Sequence, residues 1–182
     1  MVELTADLFV SAEGYAGGQD LGAYFGYGGP ELDQWIQREL AQPHLEVMGR
    51  VTYEAMAAIS AKAGDPVSER LNAQPKAVVS STLREPLSWA NTRLIRGNLG
   101  AAIKALKHES EVPLRTIGSL TLVRSLVELN LVDRLRLAVF PLLAGPAGRE
   151  PAFAGYPQVA LELAGSMVLD GRIVLLEYRP AD

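Results

Sequence analysis

The stretch "EVMGRVTYEAM", Glu46 to Met56, joins a short apolar strand to a helix and carries Gly49 and Arg50 at the junction. The first N–H groups of a helix have no partner inside the helix, so they can bind an anion, and glycine lets a phosphate approach the backbone closely. The planar guanidinium of arginine suits phosphate oxygens. The alternative is an ordinary strand-to-helix turn with a solvated arginine, and this stretch alone does not decide between them.

The composition predicts one globular domain of somewhat more than average size rather than a nucleic-acid-binding or metal-binding module. With 182 residues, 48% of them hydrophobic and 21% charged, the chain is expected to form one domain over residues 1–182 with a sizeable core. The formal charge of −4 argues against a nucleic-acid partner. The absence of cysteine excludes disulfides and thiolate metal sites. His44 and His108 are far apart and are expected at the surface, so no metal site is predicted.

The N-terminal segment "MVELTADLFV" has no basic flank and is expected to be a first strand rather than a signal peptide. No apolar run reaches the ~18 residues that a membrane span requires. We therefore expect a cytoplasmic protein without a membrane partner.

Strand and helix patterns alternate along the chain, which predicts an α/β fold. The predicted strands are 2–10, 44–48, 76–81, 92–96 and 114–118. Helices are predicted over 31–41 and 99–109, after the Gly49 turn with a helix-forming series over 53–58, and within 63–75 with Pro66 at the first helical position. Asp65 and Asn98 are expected to cap two of these helices. A further helix opens at Ser119, with Leu122, Leu126 and Leu129 on one face. The glycine-rich stretch between Ala12 and Pro30 is expected to be a functional loop.

After Asp133 the pattern changes to period two, which is typical of strands. Asp170-Gly171 lies between two apolar strands and predicts a type I′ hairpin turn. The expected architecture is a three-layer α/β/α fold, with a mainly parallel mixed sheet that ends in antiparallel C-terminal strands.

Polar or glycine residues follow three of the predicted strands: Gly49-Arg50, Ser80-Ser81-Thr82 and Gly118-Ser119. Because the carboxyl ends of strands border the ligand crevice in an open α/β sheet, these residues are expected to form a phosphate-binding rim. Helix capping by the serines and turn formation by the glycines would also explain them. The chain has neither a GxGxxG fingerprint after the first strand nor a P-loop.

Five segments in order, "VMGRVTYE", "KAVVSSTL", "IGSLTLVRSL", "LVDRLRLAVFPLLAG" and "GRIVLLEY", resemble the dihydrofolate reductase-like proteins of the riboflavin-biosynthesis reductase (RibD C-terminal) family. The resemblance runs from Val2 to Tyr178. It implies a dihydrofolate reductase-type fold with NADPH as the hydride donor. Gly118-Ser119 stands where true dihydrofolate reductases usually have paired glycines. Arg134 stands where relatives commonly have glutamate.

Carried over by motif, the resemblance implies three groups of cofactor-binding residues. The first lines the cofactor phosphates, the second holds the adenosine end, with Arg50 near its 2′-phosphate, and the third lies beneath the pyrophosphate. They are Gly49, Arg50, Val51 and Thr52; Ser80, Ser81 and Thr82; and Gly118, Ser119 and Leu120.

The substrate side is expected in the aromatic segment around Tyr24, Phe25 and Tyr27, which can stack a flat heterocycle or can simply cover the apolar end of the sheet. A reductase also needs a proton source. The catalytic candidate is Asp33 on the first helix, with Glu31 and Glu13 behind it, although Asp33 can also be a solvated residue.

These expectations define an NADPH-dependent reductase of a pterin or an aminopyrimidine. The alternative is a nucleotide-binding protein that retains the cofactor cleft without catalysis. The resemblance also implies a homodimer that packs near the C-terminal strands. The apolar strand "LVDRLRLAVFPLL" agrees with this, because it would be an aggregation hazard at a sheet edge unless a second chain covered it. The other possibility is that the Asp170-Gly171 hairpin covers this strand within one chain.

Overall fold

The computed structural model describes residues 1–62, 64–116 and 118–181. Its main element is an eight-stranded sheet with the strand order β5-β4-β3-β6-β1-β7-β10-β9. The strands of this sheet are β1 (Leu4–Ser11), β3 (Leu45–Gly49), β4 (Lys76–Val79), β5 (Thr92–Ile95), β6 (Leu114–Thr116), β7 (Arg134–Phe140), β9 (Leu161–Leu169) and β10 (Ile173–Pro180). Two short strands, β2 (Tyr15–Gly18) and β8 (Gly148–Pro151), pair separately.

The helices cover both faces of the sheet because the strands present apolar side chains alternately to each side. They are α1 (Pro30–Ala41), α2 (Arg50–Ser60), α3 (Pro66–Ala73), α4 (Leu99–Glu109) and α5 (Leu120–Glu128). One face packs against α4 and α5, as Val47 and Ala77 do. The neighbouring residues Met48 and Val78 point to the other face, which packs against α1, α2 and α3.

The sheet has parallel pairing from β5 through β7, and β10 and β9 then continue it in antiparallel order. The hairpin turns at Asp170 and Gly171, whose φ angles of 51° and 64° are those of a type I′ turn. The predicted three-layer α/β/α architecture with antiparallel C-terminal strands is confirmed. Within the described ranges, no helix has the length and hydropathy needed to cross a membrane.

Three helices begin at the polar residues that the sequence indicates. The Asp65 carboxylate accepts hydrogen bonds from the N–H groups of Val67 and Ser68, and Asn98 Oδ1 accepts one from Ala101. Ser119 Oγ accepts the N–H of Leu122 at 3.4 Å. These contacts satisfy N–H groups that have no partner within the helix.

The glycine-rich stretch is not only a loop, because it contains β2, which pairs with β8 in an antiparallel ladder. Glycine is depleted in strands in general, so the glycines of β2 argued against a strand there. The close approach of the two strands explains the glycines: a Cβ on Gly148 would lie 2.6 Å from the Tyr15 ring, and one on Gly17 would lie 2.7 Å from Glu150.

Two expectations about single residues are wrong. Helix α5 ends at Glu128, so Leu129 leaves the apolar face and is 46% exposed. His44 is buried at 4% exposure, with Nε2 at 2.7 Å from Glu46 Oε1 and Nδ1 at 2.6 Å from the Gln42 carbonyl. The Glu46 carboxylate, two residues along the chain, gives the buried His44 ring a hydrogen-bond partner. The surface prediction for His44 did not take this partner into account.

The strand "RLRLAVF" is not an edge strand, which corrects the basis of the dimer expectation. As β7 it lies between β1 and β10, so the C-terminal hairpin covers it within the chain. Its second face is buried against α1, where Phe140 has no exposed surface. The edge strand on this side is β9.

Arg136 of β7 and Arg115 of β6 belong to a buried ionic cluster beneath α1. Arg136 Nε and Arg115 Nε donate to the two oxygens of Asp7 at 2.6 and 2.5 Å, and Arg136 Nη1 donates to Glu39 at 2.6 Å. The Trp35 ring lies below both guanidinium groups, at 5.2 Å from Arg136 and 5.9 Å from Arg115. The two cations and two anions balance, which is the condition for burying charge.

Candidate functional site at the carboxyl ends of three parallel strands

The three strand ends singled out in the sequence lie side by side. β4, β3 and β6 are neighbours in the sheet and run parallel, so their carboxyl ends meet at one edge. Helix α2 starts directly from the end of β3, and α5 starts at Leu120, four residues after β6 ends at Thr116. The N-termini of two helices are thereby brought to the same edge of the sheet.

Gly49 and Ser119 form the contact between these two helix starts. A Cβ on Gly49 would lie 2.6 Å from Ser119 Oγ, so space rather than backbone conformation requires glycine here, since its φ is −82°. Gly118 has a φ of 103°, which favours glycine, and a Cβ there would lie 3.4 Å from Thr52 Oγ1. The structure therefore brings Gly49, Thr52, Gly118 and Ser119 together.

The N-terminus of α2 has no side-chain cap. Its N-cap residue is Gly49, which has no side chain to accept a hydrogen bond, whereas α3, α4 and α5 begin with a capping side chain. The first N–H groups of α2 therefore remain available to an anionic ligand. Val51 in this first turn is 64% exposed.

Arg50 stands at this helix start with its side chain in solvent. Its Nη1 donates to Glu54 Oε2 at 2.7 Å, one helical turn away, and the side chain is 44% exposed. This ion pair keeps the guanidinium beside the α2 N-terminus. A phosphate would have to compete with Glu54 for the same donors.

The loop after β4 is organised by Ser80. This residue is 9% exposed, and its Oγ accepts hydrogen bonds from the N–H groups of Thr82 and Leu83 at 3.1 and 3.0 Å. Ser81 and Thr82 are exposed. Of the three predicted residues, Ser80 therefore shapes the turn, while the other two face solvent at the edge.

Two arginines that the sequence interpretation missed lie at the same loop. Arg96 follows β5, the neighbour of β4, and its Nη2 donates to the Leu83 carbonyl. Arg84 Nη1 lies 3.4 Å from the carbonyls of Thr82 and Leu83. The position of Arg96 directly after a parallel strand was the signal that could have identified it.

These features fit the anionic part of a phosphorylated dinucleotide. Uncapped helix N–H groups, glycines that leave room at the backbone, and cationic side chains at one edge are the groups that bind phosphates. The fit rests on the absence of a Cβ and of a side-chain cap at Gly49.

The aromatic segment lies at the carboxyl end of β7, with Tyr24 and Phe25 in a one-turn 3₁₀ element, Ala23–Gly26, and Tyr27 directly after it. Tyr24 and Phe25 adopt φ angles of 52° and 54°, which bulky residues rarely adopt. Strained backbone of this kind tends to cluster at functional sites. Phe25 is 9% exposed and packs on Phe140, with ring centroids 5.4 Å apart. Tyr24 stacks on Phe140 and is half-buried.

Phe25 therefore covers the apolar end of the sheet, which was one of the two alternatives for these rings. Tyr24 and Tyr27 are the rings with partly exposed surface. The Tyr27 hydroxyl donates to the Pro141 carbonyl at 3.1 Å, and the Arg172 guanidinium lies 5.5 Å from its ring centre.

Asp33 is exposed in the first turn of α1, and its charge acts on Tyr24. Burial raises the pKa of Tyr24, and the nearby carboxylate of Asp33 raises it further. The other two acids have structural partners: Glu13 accepts the N–H of Gly145 at 2.8 Å, and Glu31 accepts the N–H of Asp170. Asp33 thus lies beside the aromatic segment.

Solved structures with the same fold come from several bacteria. A candidate riboflavin biosynthesis protein from Shewanella sp. PV-4 superposes with a TM-score of 0.80 at 20% identity, with all of both chains covered. RibD from Acinetobacter baumannii matches with a TM-score of 0.70 at 14% identity, over 100% of this chain and 59% of that one. Dihydrofolate reductase from Enterococcus faecalis, complexed with NADP(H), gives a TM-score of 0.65 at 16% identity, over 99% and 97%.

No curated protein sequence matches this chain significantly. The sequence profile of the RibD C-terminal domain, in contrast, matches residues 3–175. Membership of this family supports a reductase role in riboflavin metabolism. Because the profile spans nearly the whole sequence and the fold agrees with it, the chain belongs to the RibD C-terminal domain family of dihydrofolate reductase-like proteins.

Proposed function

We propose that this protein is a cytoplasmic NADPH-dependent reductase of a small heterocyclic substrate, and that residues 1–182 act as one domain. The observation that carries the proposal is the meeting of α2 and α5 at Gly49 and Ser119, where a Cβ would fill the space. An uncapped helix N-terminus beside an arginine is a suitable place for a nucleotide phosphate. The Enterococcus enzyme of the same fold is complexed with NADP(H).

The residues at this edge divide into three roles. The N–H groups of the first α2 turn, with Gly49 and Thr52, bind the phosphates, and the contact with Gly118 and Ser119 fixes that turn in place. Ser81 and Thr82 receive the adenosine end, in a loop held by Ser80. Arg50 binds the 2′-phosphate after its guanidinium releases the Glu54 carboxylate, its ion-pair partner in the free protein.

The bound dinucleotide supplies a hydride, and the chain must orient the acceptor and provide the proton. Tyr24 and Tyr27 offer partly exposed ring surface for a flat heterocycle, and Asp33 lies beside them as the proton donor. Its exposure lets the carboxyl exchange protons with water between turnovers. We expect the substrate to be a pterin or an aminopyrimidine such as 5-amino-6-(5-phosphoribosylamino)uracil.

We also propose a homodimer, on a different surface from the one the sequence suggested. The edge strand β9 is exposed over most of its length. Leu163 and Val168 on this strand are 59% and 58% exposed, and Val174 on β10 is 37% exposed. A long apolar edge strand invites pairing or coverage by another chain, and a two-fold contact is the commonest solution.

Turnover tests the proposal most simply. The protein is mixed with NADPH and with each candidate pterin or aminopyrimidine, and cofactor oxidation is followed by absorbance, with Asp33→Asn as the matched variant. We expect oxidation with one substrate class, and a loss of about 10²–10⁴-fold in Asp33→Asn if it donates the proton. Cofactor binding without turnover of any candidate would instead indicate a nucleotide-binding protein without catalysis.

A further inference from the structure

The turn of the C-terminal hairpin contacts the N-terminus of α1. The Asp170 Oδ1 and Oδ2 atoms accept hydrogen bonds from the N–H groups of Glu31 and Leu32, both at 3.0 Å. In return, the Glu31 carboxylate accepts the N–H of Asp170. This reciprocal exchange is that of a capping box, except that the capping side chain comes from 139 residues along the chain.

Helix α1 depends on this distant cap because it has none of its own. Its N-cap residue is Gly29, with no side-chain hydrogen bond, and Pro30 follows. A Cβ on Gly29 would lie 2.3–2.5 Å from the atoms of the Asp170 carboxylate. Since the φ of Gly29 is 178°, which any residue can adopt, the glycine is needed to make room for Asp170.

The same turn holds the aromatic segment. Arg172 Nη2 donates to the Gly28 carbonyl at 2.8 Å, and its guanidinium lies 5.5 Å from the centre of the Tyr27 ring. The turn of the hairpin thus contacts the segments before and after Gly29. The segment before it is the aromatic segment, and the segment after it is the start of α1, the helix that carries Asp33.

We infer that Asp170 is a positioning residue for the substrate side, acting through the start of α1, with Arg172 as its partner on the aromatic segment. Asp170 does not need to touch the substrate. Its carboxylate fixes where α1 begins, and this sets the distance between Asp33 and the partly exposed rings. The functional part of this inference rests on the proposed reductase activity, whereas the structural part does not.

The test compares Asp170→Gly with Asp65→Gly. Glycine retains the positive φ of the turn, so Asp170→Gly removes the carboxylate without straining the hairpin. Asp65 caps α3 by two hydrogen bonds of the same length, and α3 contacts α1 only at Gln37 and Leu40 among the hydrogen bonds described. Asp170→Asn, which retains one acceptor oxygen, is the conservative variant.

The first readout is amide hydrogen exchange measured by NMR on the whole protein. In Asp170→Gly we expect the amides of Glu31 and Leu32 to exchange about fivefold faster, the protection typical of one side-chain cap. The hydrogen-bonded amides of Phe25 and Tyr27 should also exchange faster. Asp65→Gly should leave all four at the wild-type rate, and Asp170→Asn should lie between. If Phe25 and Tyr27 do not change in Asp170→Gly, the positioning role is wrong.

The second readout is kinetic. Asp170→Gly should raise the substrate KM and lower kcat while the KM for NADPH stays at the wild-type value, and Asp65→Gly should change none of them. Equal effects of the two variants would overturn the inference. Absence of turnover in the wild-type protein would overturn the proposed function instead, and the exchange experiment would then decide the role of Asp170.

Discussion

At the residue scale, Arg50 lies at the start of α2, but Glu54 competes with any phosphate for its guanidinium. Gly49 and the α2 N-terminus lie where the motif implied, and the structure adds that Glu54 binds the Arg50 guanidinium. An ion pair this exposed is weak, so a phosphate with two negative charges can replace the carboxylate.

Arg50→Ala should therefore weaken NADPH binding by about 1.5–3 kcal/mol at low salt and change NADH binding little, because only NADPH has the 2′-phosphate. Isothermal titration with both cofactors measures the difference. Arg93→Ala is the matched control, since Arg93 is an exposed arginine with a carboxylate partner at 3.9 Å, Glu109. A small and equal loss for both cofactors would contradict the assignment of Arg50.

His44 makes a pH-dependent contribution to stability. Burial and the charge of Arg115 lower its pKa, but the hydrogen bond and charge of Glu46, together with the hydrogen bond to the Gln42 carbonyl, raise the pKa above the ordinary 6.5. Protonated His44 therefore contributes to the free energy of unfolding fully below pH 6.5, and this contribution is lost as the pH rises through the higher pKa of the folded state. Relative to His44→Gln, the wild-type free energy of unfolding should fall over that range in urea titrations. A difference independent of pH would show that His44 does not titrate there.

At the element scale, the sequence predicted most helices and strands because their signals are local. Caps such as Asp65 and Asn98, and the Asp170-Gly171 turn, act within a few residues. The strand β2 was missed because its glycines are explained only by the partner β8, which lies far along the chain. The role of Asp170 as a cap was missed for the same reason.

The ionic cluster beneath α1 gives an element-scale prediction. Asp7→Ala leaves the guanidinium groups of Arg115 and Arg136 with Glu39 as their remaining ion-pair partner in the cluster. Breaking a buried pair in this way should lower the free energy of unfolding by about 3–5 kcal/mol. The control, Glu109→Ala, removes an exposed partner and should cost about 1 kcal/mol or less. Comparable effects in urea denaturation would show that the cluster contributes no more than a surface pair.

At the scale of the whole molecule, the sequence predicted the fold class and the grouping of three strand ends, because parallel order places their carboxyl ends together. It did not predict which strand forms the edge. Alternation in "RLRLAVF", with Phe140 on the same face as the arginines, indicates that neither face is simply solvated. It does not indicate which strands lie on either side, and these are β1 and the C-terminal hairpin.

If β9 is the dimer surface, charges placed there should dissociate the dimer. We expect the wild type to sediment at about twice 19.6 kDa at micromolar concentration, and Leu163→Glu and Val168→Glu to approach 19.6 kDa. Ile59→Glu on α2 is the control, because Ile59 is 58% exposed, as Val168 is. A wild-type monomer over the whole range would rule out the dimer.

The central claim is that the junction of α2 and α5 binds NADPH, and an NMR titration of the labelled protein with NADPH tests it most directly. We expect saturable shifts that are largest at the backbone amides of Arg50, Val51 and Thr52, and of Ser119 and Leu120, with smaller shifts at Ser81 and Thr82. Saturable binding with these amides unmoved, or no binding at millimolar cofactor, would contradict the claim.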